Sequence, residues 1–352
     1  MNRRRFLTTT AAAATLPGAL RAQAAPRLSL GYDNFAVRAM GWKAPQLIDF
    51  AAAQKVDSLF ITDLDAFTSL EEKHLAGLRA LATEKNIRLY LGTWSICPSS
   101  PSFRDTWGSA EEHLALALRS AKALGSPVIR VVLGSAKDRL TDGGIAARIE
   151  DTLKVLASQK SLAEELEVRI AMENHAGDMH SLELKALVEA AGPDYVGVNL
   201  DSGNAVWTLE TPLQNLENLG PYVLTTSLRD TAVWESENGV TAQWTAMGEG
   251  MVDWKRYFQR FAELCPQAPV HIETISGFNR ELAVKKDDFW QAWPNGKPAG
   301  YEAFRSWAAT GEAREAWSAP AEADKDEAQR SYQLGEITRS LAYCRKIGLG
   351  QA

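Results

Sequence analysis

Two short runs near the middle of the chain decide its fold. Residues 168–175 are Val-Arg-Ile-Ala-Met-Glu-Asn-His, and residues 196–204 are Val-Gly-Val-Asn-Leu-Asp-Ser-Gly-Asn. Each run begins with residues that favour β-structure and then reaches an acidic side chain, Glu173 or Asp201. A strand that ends on a carboxylate is typical of parallel sheets that carry polar groups at the carboxyl ends of their strands. Residues 222–230 and 270–273 follow the same plan.

Outward from these runs, β-type segments alternate with amphipathic helical segments. The predicted strands are residues 28–32, 58–62, 87–92, 128–133, 168–173, 195–201, 223–227 and 270–273. The predicted helices are residues 45–54, 70–85, 110–124, 146–165, 181–191, 211–219, 253–264 and 327–347. Eight regular strand–helix units predict an α/β fold, the (β/α)8 TIM barrel; a doubly wound sheet is the alternative and rarely has so many.

The first 24 residues have the pattern of an export signal. Arginines at positions 3–5 precede Phe6-Leu7, an alanine-rich apolar run follows, and Ala22-Gln23-Ala24 fits a cleavage site. The arginines indicate the twin-arginine (Tat) route, so we expect a Tat signal peptide over residues 1–24 and a barrel domain over 25–352. The apolar run is shorter than the about 20 residues that cross a bilayer. The mature protein is therefore expected in the periplasm or outside a bacterial cell, without an integral membrane segment.

Composition narrows the possible partners. The formal net charge is −6 and no basic stripe is present, which argues against nucleic acid as a partner. Cys97, Cys265 and Cys344 are odd in number and widely spaced, so we expect free thiols rather than a disulfide framework or a zinc knuckle. Because DNA-repair enzymes on this barrel need a histidine-rich zinc site and a basic face, five histidines and a negative charge exclude that class.

The predicted strand ends place acidic residues at one mouth of the barrel. Catalytic groups of such barrels lie on the carboxyl ends of the strands, so Glu173, Asp201 and Glu273 are expected to converge there. Side chains alternate along a strand, which puts His271 on the same inward face as Glu273. An inner rim of polar residues, where packing alone would favour Val, Ile or Leu, predicts a functional site.

Two long segments follow the seventh and eighth strands, at residues 231–251 and 274–326. Loops of this length are usually functional or disordered, and their many aromatic residues argue against disorder. We therefore predict a lid or a wall over the barrel mouth, in which the tryptophans either contact the ligand or only pack the insert. Residues 318–330, rich in Ala, Asp and Glu, are expected to form a solvated linker.

Five motifs, in this order, resemble the xylose isomerase-like TIM barrels, a superfamily of sugar phosphate isomerases and epimerases. They are Met172-Glu173-Asn174-His175, Asn199-Leu200-Asp201-Ser202-Gly203-Asn204, Ser227-Leu228-Arg229-Asp230, Gly248-Glu249-Gly250-Met251-Val252-Asp253 and Ile272-Glu273. The resemblance implies a divalent metal ion held by Glu, Asp, His and a second Glu. Glu173, Asp201 and Glu273 match these ligands, whereas Ser227 stands at the histidine position and Asn204 replaces another frequent histidine.

Three crowded carboxylates need a cation or protons, because like charges a few ångströms apart repel each other. A hard ion with oxygen ligands suits them, which favours Mn²⁺ or Mg²⁺ over Zn²⁺. His271 is a possible replacement for the missing imidazole, or else a hydrogen-bonded core histidine one layer deeper. Gln243 is a further substitute.

Other polar and aromatic residues are candidates for substrate binding. His175, Asn204 and Arg229 are expected to bind hydroxyl or anionic groups, and Trp94 either stacks on a sugar ring or packs the core. His74 and His113 fall on predicted helices and are expected to face solvent. The expected partner is a small-molecule carbohydrate.

The resemblance implies a metal-dependent sugar isomerase or epimerase. The ion would bind a carbonyl oxygen and the neighbouring hydroxyl, and an enediolate would form when Glu173 or Glu273 removes the proton between them. The other glutamate would return it. A lyase or dehydratase acting on a keto-sugar or inositol derivative would share the first step. A periplasmic carbohydrate-binding protein without catalytic activity is the alternative from another class.

Overall fold

A computed structural model describes residues 27–350 of the protein. The predicted signal peptide and its cleavage site lie outside the described residues. The strands are β1 Leu30–Asp33, β2 Ser58–Ile61, β3 Arg88–Ser95, β4 Val128–Val132, β5 Arg169–Glu173, β6 Val196–Asp201, β7 Val223–Ser227, β8 Asp230–Glu235, β9 Val240–Thr245, β10 Val270–Ile272 and β11 Asn279–Leu282.

Eight of these strands form a parallel sheet in the order β10-β1-β2-β3-β4-β5-β6-β7. The sheet closes between β7 and β10, where the amide of Leu228 donates to the carbonyl of His271 at 2.8 Å. The amide of Glu273 then donates to the carbonyl of Leu228 at 2.9 Å. The fold is the (β/α)8 TIM barrel, as predicted, and each predicted barrel strand lies within three residues of its observed bounds.

The α-helices are α1 Ala44–Ala53, α2 Glu72–Glu84, α3 Ala110–Leu124, α4 Gly144–Leu166, α5 Ser181–Ala191, α6 Pro212–Leu219, α7 Trp254–Leu264, α8 Tyr301–Ala308 and α9 Lys325–Lys346. Helix α3 shows how sequence sets the bounds. The hydroxyl of Ser109 accepts from the amide of Glu112 at its start, and Gly125 ends it in a left-handed conformation. Its buried face includes His113, which the sequence placed in solvent: the ring hydrogen-bonds Thr93 at 2.6 Å.

A second sheet covers part of the barrel mouth. Strands β8 and β9 form an antiparallel hairpin, and β11 pairs with β9. An apolar cluster that includes Val233, Ala242, Leu282 and Phe304 joins this sheet to α8. The predicted lid or wall segments thus contain regular structure that the sequence analysis missed. The predicted linker is a loop only over residues 318–324, because α9 begins at Lys325.

Inside the barrel, the layer below the mouth is sealed by aromatic side chains. Phe60 and Tyr90 pack on the ring of His271, with centroids 5.3 and 4.8 Å away. Cys97, Cys265 and Cys344 are buried free thiols. Within residues 27–350, no helix is both long and apolar enough to cross a membrane.

Candidate active site

A cavity of about 250 Å³ opens at the carboxyl ends of the barrel strands. Acidic and basic side chains line it together: Glu173, Asp201, Glu273, Arg130 and Arg229. Its walls are aromatic and include Phe35, Trp94, Trp207, Trp244 and Phe278. Flat apolar walls above a base of charged groups are suited to a small polar molecule that has apolar ring faces.

Arg229 joins two of the acids at the base of the cavity. Its Nη2 donates to Oδ2 of Asp201 at 2.7 Å, and its Nη1 donates to Oε2 of Glu273 at 3.0 Å. Nη2 also donates to the side-chain oxygen of Asn204 at 2.8 Å. Arg229 is only 4% exposed, so these ion pairs are shielded from water and little screened.

Arg130 neutralises the third acid. Its Nε donates to Oε2 of Glu173 at 2.5 Å, and its Nη1 donates to the carbonyl of Thr93 at 3.0 Å. The amide nitrogen of Asn199 donates to the same Glu173 oxygen at 2.8 Å. Asn204 donates to the other Glu173 oxygen at 3.3 Å and to Oδ2 of Asp201 at 2.7 Å. The three predicted acids therefore meet at one place.

A fourth acid, Asp33, lies at the end of β1 below the cavity. Its Oδ1 accepts from the amide of Phe35 at 2.8 Å, and its Oδ2 accepts from the hydroxyl of Ser227 at 3.0 Å. Ser227 in turn accepts from Asn199 at 3.2 Å. Ser227, at the position of the expected histidine, thus connects Asp33 to the network around Glu173.

The two glutamates of the site differ in their electrostatic surroundings. Burial raises the pKa of Glu173, but positively charged neighbours, the Arg130 guanidinium first among them, outweigh burial and leave that pKa below its ordinary value. Burial also raises the pKa of Glu273, and there Arg229 only partly offsets it, so the pKa stays above its ordinary value. Glu173 is therefore held as an anion, whereas Glu273 can take up and release a proton nearer neutral pH.

Two charged groups keep atoms available to a ligand. Within the described part of the chain, Glu273 accepts a hydrogen bond at Oε2 but not at Oε1, and Arg130 donates from Nε and Nη1 but not from Nη2. Both residues line the cavity. A carboxylate oxygen and a guanidinium N–H are therefore available at the same cavity base, one to accept a proton and the other to bind an oxygen.

His175 and Trp94 form part of the cavity wall, with ring centroids 5.2 Å apart in an edge-on arrangement. Nδ1 of His175 lies 2.6 Å from the carbonyl oxygen of Gly134, which can only accept, so this nitrogen carries the proton. Burial lowers the pKa of His175, although Glu173 opposes the shift. The neutral ring then has an unprotonated Nε2, which can accept a hydrogen bond from a hydroxyl group.

His271 is not placed to replace the missing ligand. Its Nε2 pairs with the hydroxyl of Ser58 at 3.0 Å and its Nδ1 with the hydroxyl of Thr225 at 3.1 Å. The ring lies one layer below the cavity and does not line it, which corresponds to the core-histidine alternative. Gln243, on β9, hydrogen-bonds Asn279 and the carbonyl of Glu315 and also lies outside the cavity lining.

The donor set around the three acids does not fit a divalent ion. Asp201 accepts at both oxygens: Oδ1 from the amides of Gly203 and Asn204, and Oδ2 from Asn204 and Arg229. A metal ion bound to Asp201 and Glu273 would have to displace the Arg229 guanidinium that joins them. Over residues 27–350, no group of three or more His, Cys, Asp or Glu side chains is arranged to hold a metal. The sequence-based expectation of Mn²⁺ or Mg²⁺ is thus at odds with this arrangement.

Sequence reasoning missed three charged residues at the site, Arg130, Asp33 and Asp63, of which Arg130 and Asp63 line the cavity. Arg130 is a lone cation within the apolar strand Val128–Val132, a signal that was available. Asp33 is an acid at the end of an apolar strand, the pattern that identified Glu173 and Asp201. The wall residues Trp207, Phe35 and Phe278 gave no signal, because aromatic residues in loops are as often packing residues as ligand contacts.

The chain belongs to the xylose isomerase-like TIM barrel family, whose model matches residues 36–292. It is similar to 3-oxo-isoapionate decarboxylase of Pectobacterium atrosepticum, with 26% identity over 201 residues. That match covers 56% of this chain and 66% of the decarboxylase, just under two thirds of the relative's length.

Solved structures with the same fold include several sugar epimerases. A D-psicose 3-epimerase crystallised in the presence of D-fructose matches with a TM-score of 0.60 and 14% identity, over 92% of this chain and 100% of the other. The D-psicose 3-epimerase of Clostridium cellulolyticum H10 with D-tagatose matches with a TM-score of 0.57, 14% identity and the same coverage of 92% and 100%. An IOLI protein with a bound zinc atom matches with a TM-score of 0.55 and 15% identity, over 79% and 95%. At these identities the likeness shows the fold alone.

Proposed function

We propose that this protein is an enzyme that removes a proton from the hydroxyl-bearing carbon beside a carbonyl group of a sugar and returns it to the carbonyl carbon, while the hydroxyl proton passes to the carbonyl oxygen. The observation that carries the proposal is that Oε1 of Glu273 has no hydrogen-bond partner among residues 27–350 and lies in an aromatic-walled cavity that two buried guanidinium groups also line. The reaction class is that of a sugar isomerase, and family membership supports it.

Glu273 acts as the general base. Its raised pKa brings it closer to neutrality, where a carboxylate accepts a proton from carbon with the smallest penalty and can give it back. Glu173 is less suited, because Arg130, Asn199 and Asn204 occupy both of its oxygens. A single carboxyl group that moves the proton along one face of the substrate favours isomerisation. Epimerisation would need a second acid on the opposite face.

Arg130 stabilises the negative charge that develops when the proton leaves. Its Nη2 has no protein partner among the described residues, whereas its Nε and Nη1 are fixed by Glu173 and Thr93. A guanidinium held in this way can donate to an enediolate oxygen without reorganising, which is the main requirement for electrostatic stabilisation. Unprotonated Nε2 of His175 can accept a hydrogen bond from a second hydroxyl group and so orient the sugar.

The metal-dependent version of this reaction, with Mn²⁺ or Mg²⁺, is the one that the sequence motifs favoured. In the reaction proposed here no step uses a metal ion, because Arg229 pairs with two of the three carboxylates that would bind the ion. All charge stabilisation is assigned to the protein's own side chains.

Decarboxylation is the second candidate, and the sequence similarity to a decarboxylase favours it. In a 3-oxo sugar acid, the bond between the carboxylate and the α-carbon would break, CO₂ would leave, and the electron pair would remain as an enolate. Protonated Glu273 would then supply a proton to that carbon. Arg130 can serve this reaction too, since a guanidinium recognises a carboxylate or an enolate oxygen. A keto-sugar lyase, which expels an oxygen leaving group from the enediolate, remains a further alternative.

Solvent deuterium incorporation tests the proposal. The protein is incubated in D₂O with a panel of aldoses, ketoses and 3-oxo sugar acids, and products are followed by NMR and by CO₂ release. Wild type should place deuterium on the carbon beside the carbonyl, and Glu273→Gln should abolish this. Glu237→Gln, at an exposed turn residue, is the matched control and should exchange like wild type. Sugar binding without exchange would indicate a binding protein and overturn the proposal, and CO₂ release would select the decarboxylase.

Export by the Tat route stays a proposal as well, because the arginines at positions 3–5 and the Ala22-Gln23-Ala24 motif are its only support. Expression in a bacterium with a Tat pathway should give periplasmic protein whose N-terminus follows Ala24. Replacement of Arg3, Arg4 and Arg5 by lysine should retain the protein in the cytoplasm. A periplasmic product from that variant would contradict the assignment.

A further inference from the structure

We infer that the Arg229 guanidinium takes the place of the divalent ion in this site, so that the pocket works without a metal. That Arg229 neutralises the acids does not depend on the proposed function. Only the statement that the pocket is active without a metal rests on that function. Its basis is that the backbone and the neighbouring side chains are shaped around this arginine.

Gly203 makes room for the arginine side chain. A Cβ atom at position 203 would lie 2.2 Å from Nε of Arg229 and 2.5 Å from its Cγ, closer than any tolerated contact. The backbone of Gly203 has ordinary right-handed angles, φ −77° and ψ −28°, so conformation alone does not require glycine there. The absence of a side chain at position 203 therefore serves the close approach of Arg229.

Trp244 also lies close to the guanidinium. The Cζ atom of Arg229 lies 5.4 Å from the centre of the Trp244 ring, and the indole Nε1 donates to the carbonyl of Gly203 at 2.8 Å. The hydroxyl of Ser202 ties the arginine backbone, accepting from the amide of Arg229 at 3.0 Å and donating to its carbonyl at 2.9 Å. Arg229 is thus close to both a glycine, which leaves room for it, and an aromatic ring, which favours a flat cation.

The residue at the histidine position supports the same reading. Ser227 donates to Asp33 and accepts from Asn199, so its hydroxyl is used by the protein on both sides. A serine hydroxyl is also a far weaker ligand for a divalent ion than the imidazole that it replaces. Among the described residues, Arg229 and Arg130 supply the positive charge that neutralises the carboxylates in place of a divalent ion.

An added divalent ion would also meet like charge at this place. It would lie beside Arg229, where burial lowers the pKa of the guanidinium but the carboxylates of Asp201 and Glu273 raise it above its ordinary value, so the guanidinium stays charged. Charges of the same sign repel strongly when they are close together and shielded from water. Binding of an ion would require Arg229 to leave its position beside Gly203 and Trp244.

The first test is a titration of the wild-type protein. Full-length mature protein is dialysed against EDTA, its metal content is measured by plasma mass spectrometry, and Mn²⁺, Mg²⁺ and Zn²⁺ are titrated by calorimetry. We expect no stoichiometric binding, and no loss of deuterium exchange after the EDTA treatment. Binding of one equivalent of any of these ions that disappears in Asp201→Asn would overturn the inference.

A double variant tests the replacement in the other direction. Arg229→Met with Ser227→His removes the guanidinium and restores an imidazole, and it should bind one equivalent of Mn²⁺ or Zn²⁺ with a rise in Tm on ion addition. Arg119→Met, an exposed residue on α3, is the control and should bind none. A folded double variant that binds no ion would count against the inference. If the double variant does not fold, the wild-type titration decides.

The two proposals fail separately. Absence of deuterium exchange with every sugar would refute the proposed function, whereas the titrations would still show whether Arg229 or an ion neutralises the acids. Conversely, exchange that requires an added divalent ion would support proton abstraction and overturn the metal-free reading.

Discussion

The hydroxyl of Ser227 donates a 3.0 Å hydrogen bond to the carboxyl group of Asp33, joining the first and seventh strands of the barrel. Asp33 is fully buried, and no arginine hydrogen-bonds it among the described residues. Burial, followed by the charge of Glu273, raises the pKa of Asp33 well above its ordinary value. The folded state therefore favours the protonated form of Asp33, whereas the unfolded chain releases that proton in mild acid.

The free energy of unfolding of Asp33→Asn, relative to that of wild type, should accordingly increase as the pH rises. Wild type loses free energy of unfolding above the unfolded-state pKa of about 3.9, by up to about 1.4 kcal/mol per pH unit until the folded-state pKa is reached. The asparagine lacks this dependence and keeps the acceptor for the amide of Phe35. Urea unfolding at pH 5 and pH 8 measures the difference. A difference between the two proteins that stays constant from pH 5 to pH 8 would show that Asp33 is already an anion in the folded protein at pH 5.

Gly203→Ala should damage the site without altering the backbone. The new methyl group would collide with Nε and Cγ of Arg229, and overpacking of this kind costs about 1–3 kcal/mol of stability. Displacement of the guanidinium should also reduce deuterium exchange by about tenfold or more, since a loss of about 1.4 kcal/mol corresponds to tenfold in rate. Stability is measured by urea unfolding and exchange by NMR.

Gly77→Ala is the matched control for that experiment. Gly77 lies inside α2, and a Cβ atom there would meet nothing within 4 Å. Alanine is the better helix former by about 1 kcal/mol, so this variant should be as stable as wild type or more stable, with unchanged exchange. Equal behaviour of the two variants would argue that Arg229 is not held by Gly203.

The barrel could be predicted from sequence because its signals are local and repeated. Each strand is a short apolar run and each helix has a 3.6-residue apolar period, so eight independent observations agreed on one architecture. The second sheet could be predicted only in part, because the β8–β9 hairpin has a local turn signal, Asn238-Gly239, whereas β11 has none. Its strands β9 and β11 pair residues such as Gln243 and Asn279, which are 36 positions apart, and no local pattern reports such a pairing.

The site was predicted in part for a similar reason. Acids at strand ends identified Glu173, Asp201 and Glu273, since the carboxyl ends of parallel strands meet in space. The sequence could not show that Arg229 lies between two of these acids, because that arrangement depends on the space above Gly203. The sequence motifs located the acidic residues. The guanidinium that neutralises two of them could be identified only from the three-dimensional structure.

Trp94→Ala should weaken substrate binding more than catalysis. Trp94 lines the cavity, and its indole nitrogen donates to the carbonyl of Ser102 at 2.8 Å, which fixes the ring plane. Loss of an aromatic contact worth about 0.5–1.5 kcal/mol raises KM by about 2- to 12-fold. The value of kcat should change little, because Trp94 lies in the wall and makes no contact with Glu273 or Arg130 in the hydrogen-bond network.

Trp307→Ala separates binding from packing. Trp307 lies on α8, packs against the apolar cluster that joins α8 to the second sheet, and is not part of the cavity lining. Its loss should therefore lower the free energy of unfolding and leave KM unchanged. Steady-state kinetics with the sugar identified by deuterium exchange provides both parameters. A fall in kcat without a change in KM for Trp94→Ala would refute its role as a binding surface.

His271 should make the fold sensitive to acid. Burial lowers the pKa of His271 to about 3, from an ordinary value of 6.5, because the ring lies between Phe60 and Tyr90 with hydroxyl partners at both nitrogens. The unfolded chain therefore binds a proton below pH 6.5 that the folded protein refuses until about pH 3. The stability that His271 provides is complete above its unfolded pKa and falls as the pH is lowered, by about 1.4 kcal/mol per unit.

His271→Gln removes this titration, so its free energy of unfolding should fall less steeply than that of wild type between pH 6.5 and pH 4.5, even if it is lower at neutral pH. Urea unfolding at several pH values gives the two slopes. His74→Gln, on the outer surface of α2, controls for the substitution itself and should follow the wild-type curve. Parallel curves for His271→Gln and wild type would mean that the ring takes up a proton in the folded barrel. The layer below the cavity would then be wetter than its aromatic packing indicates.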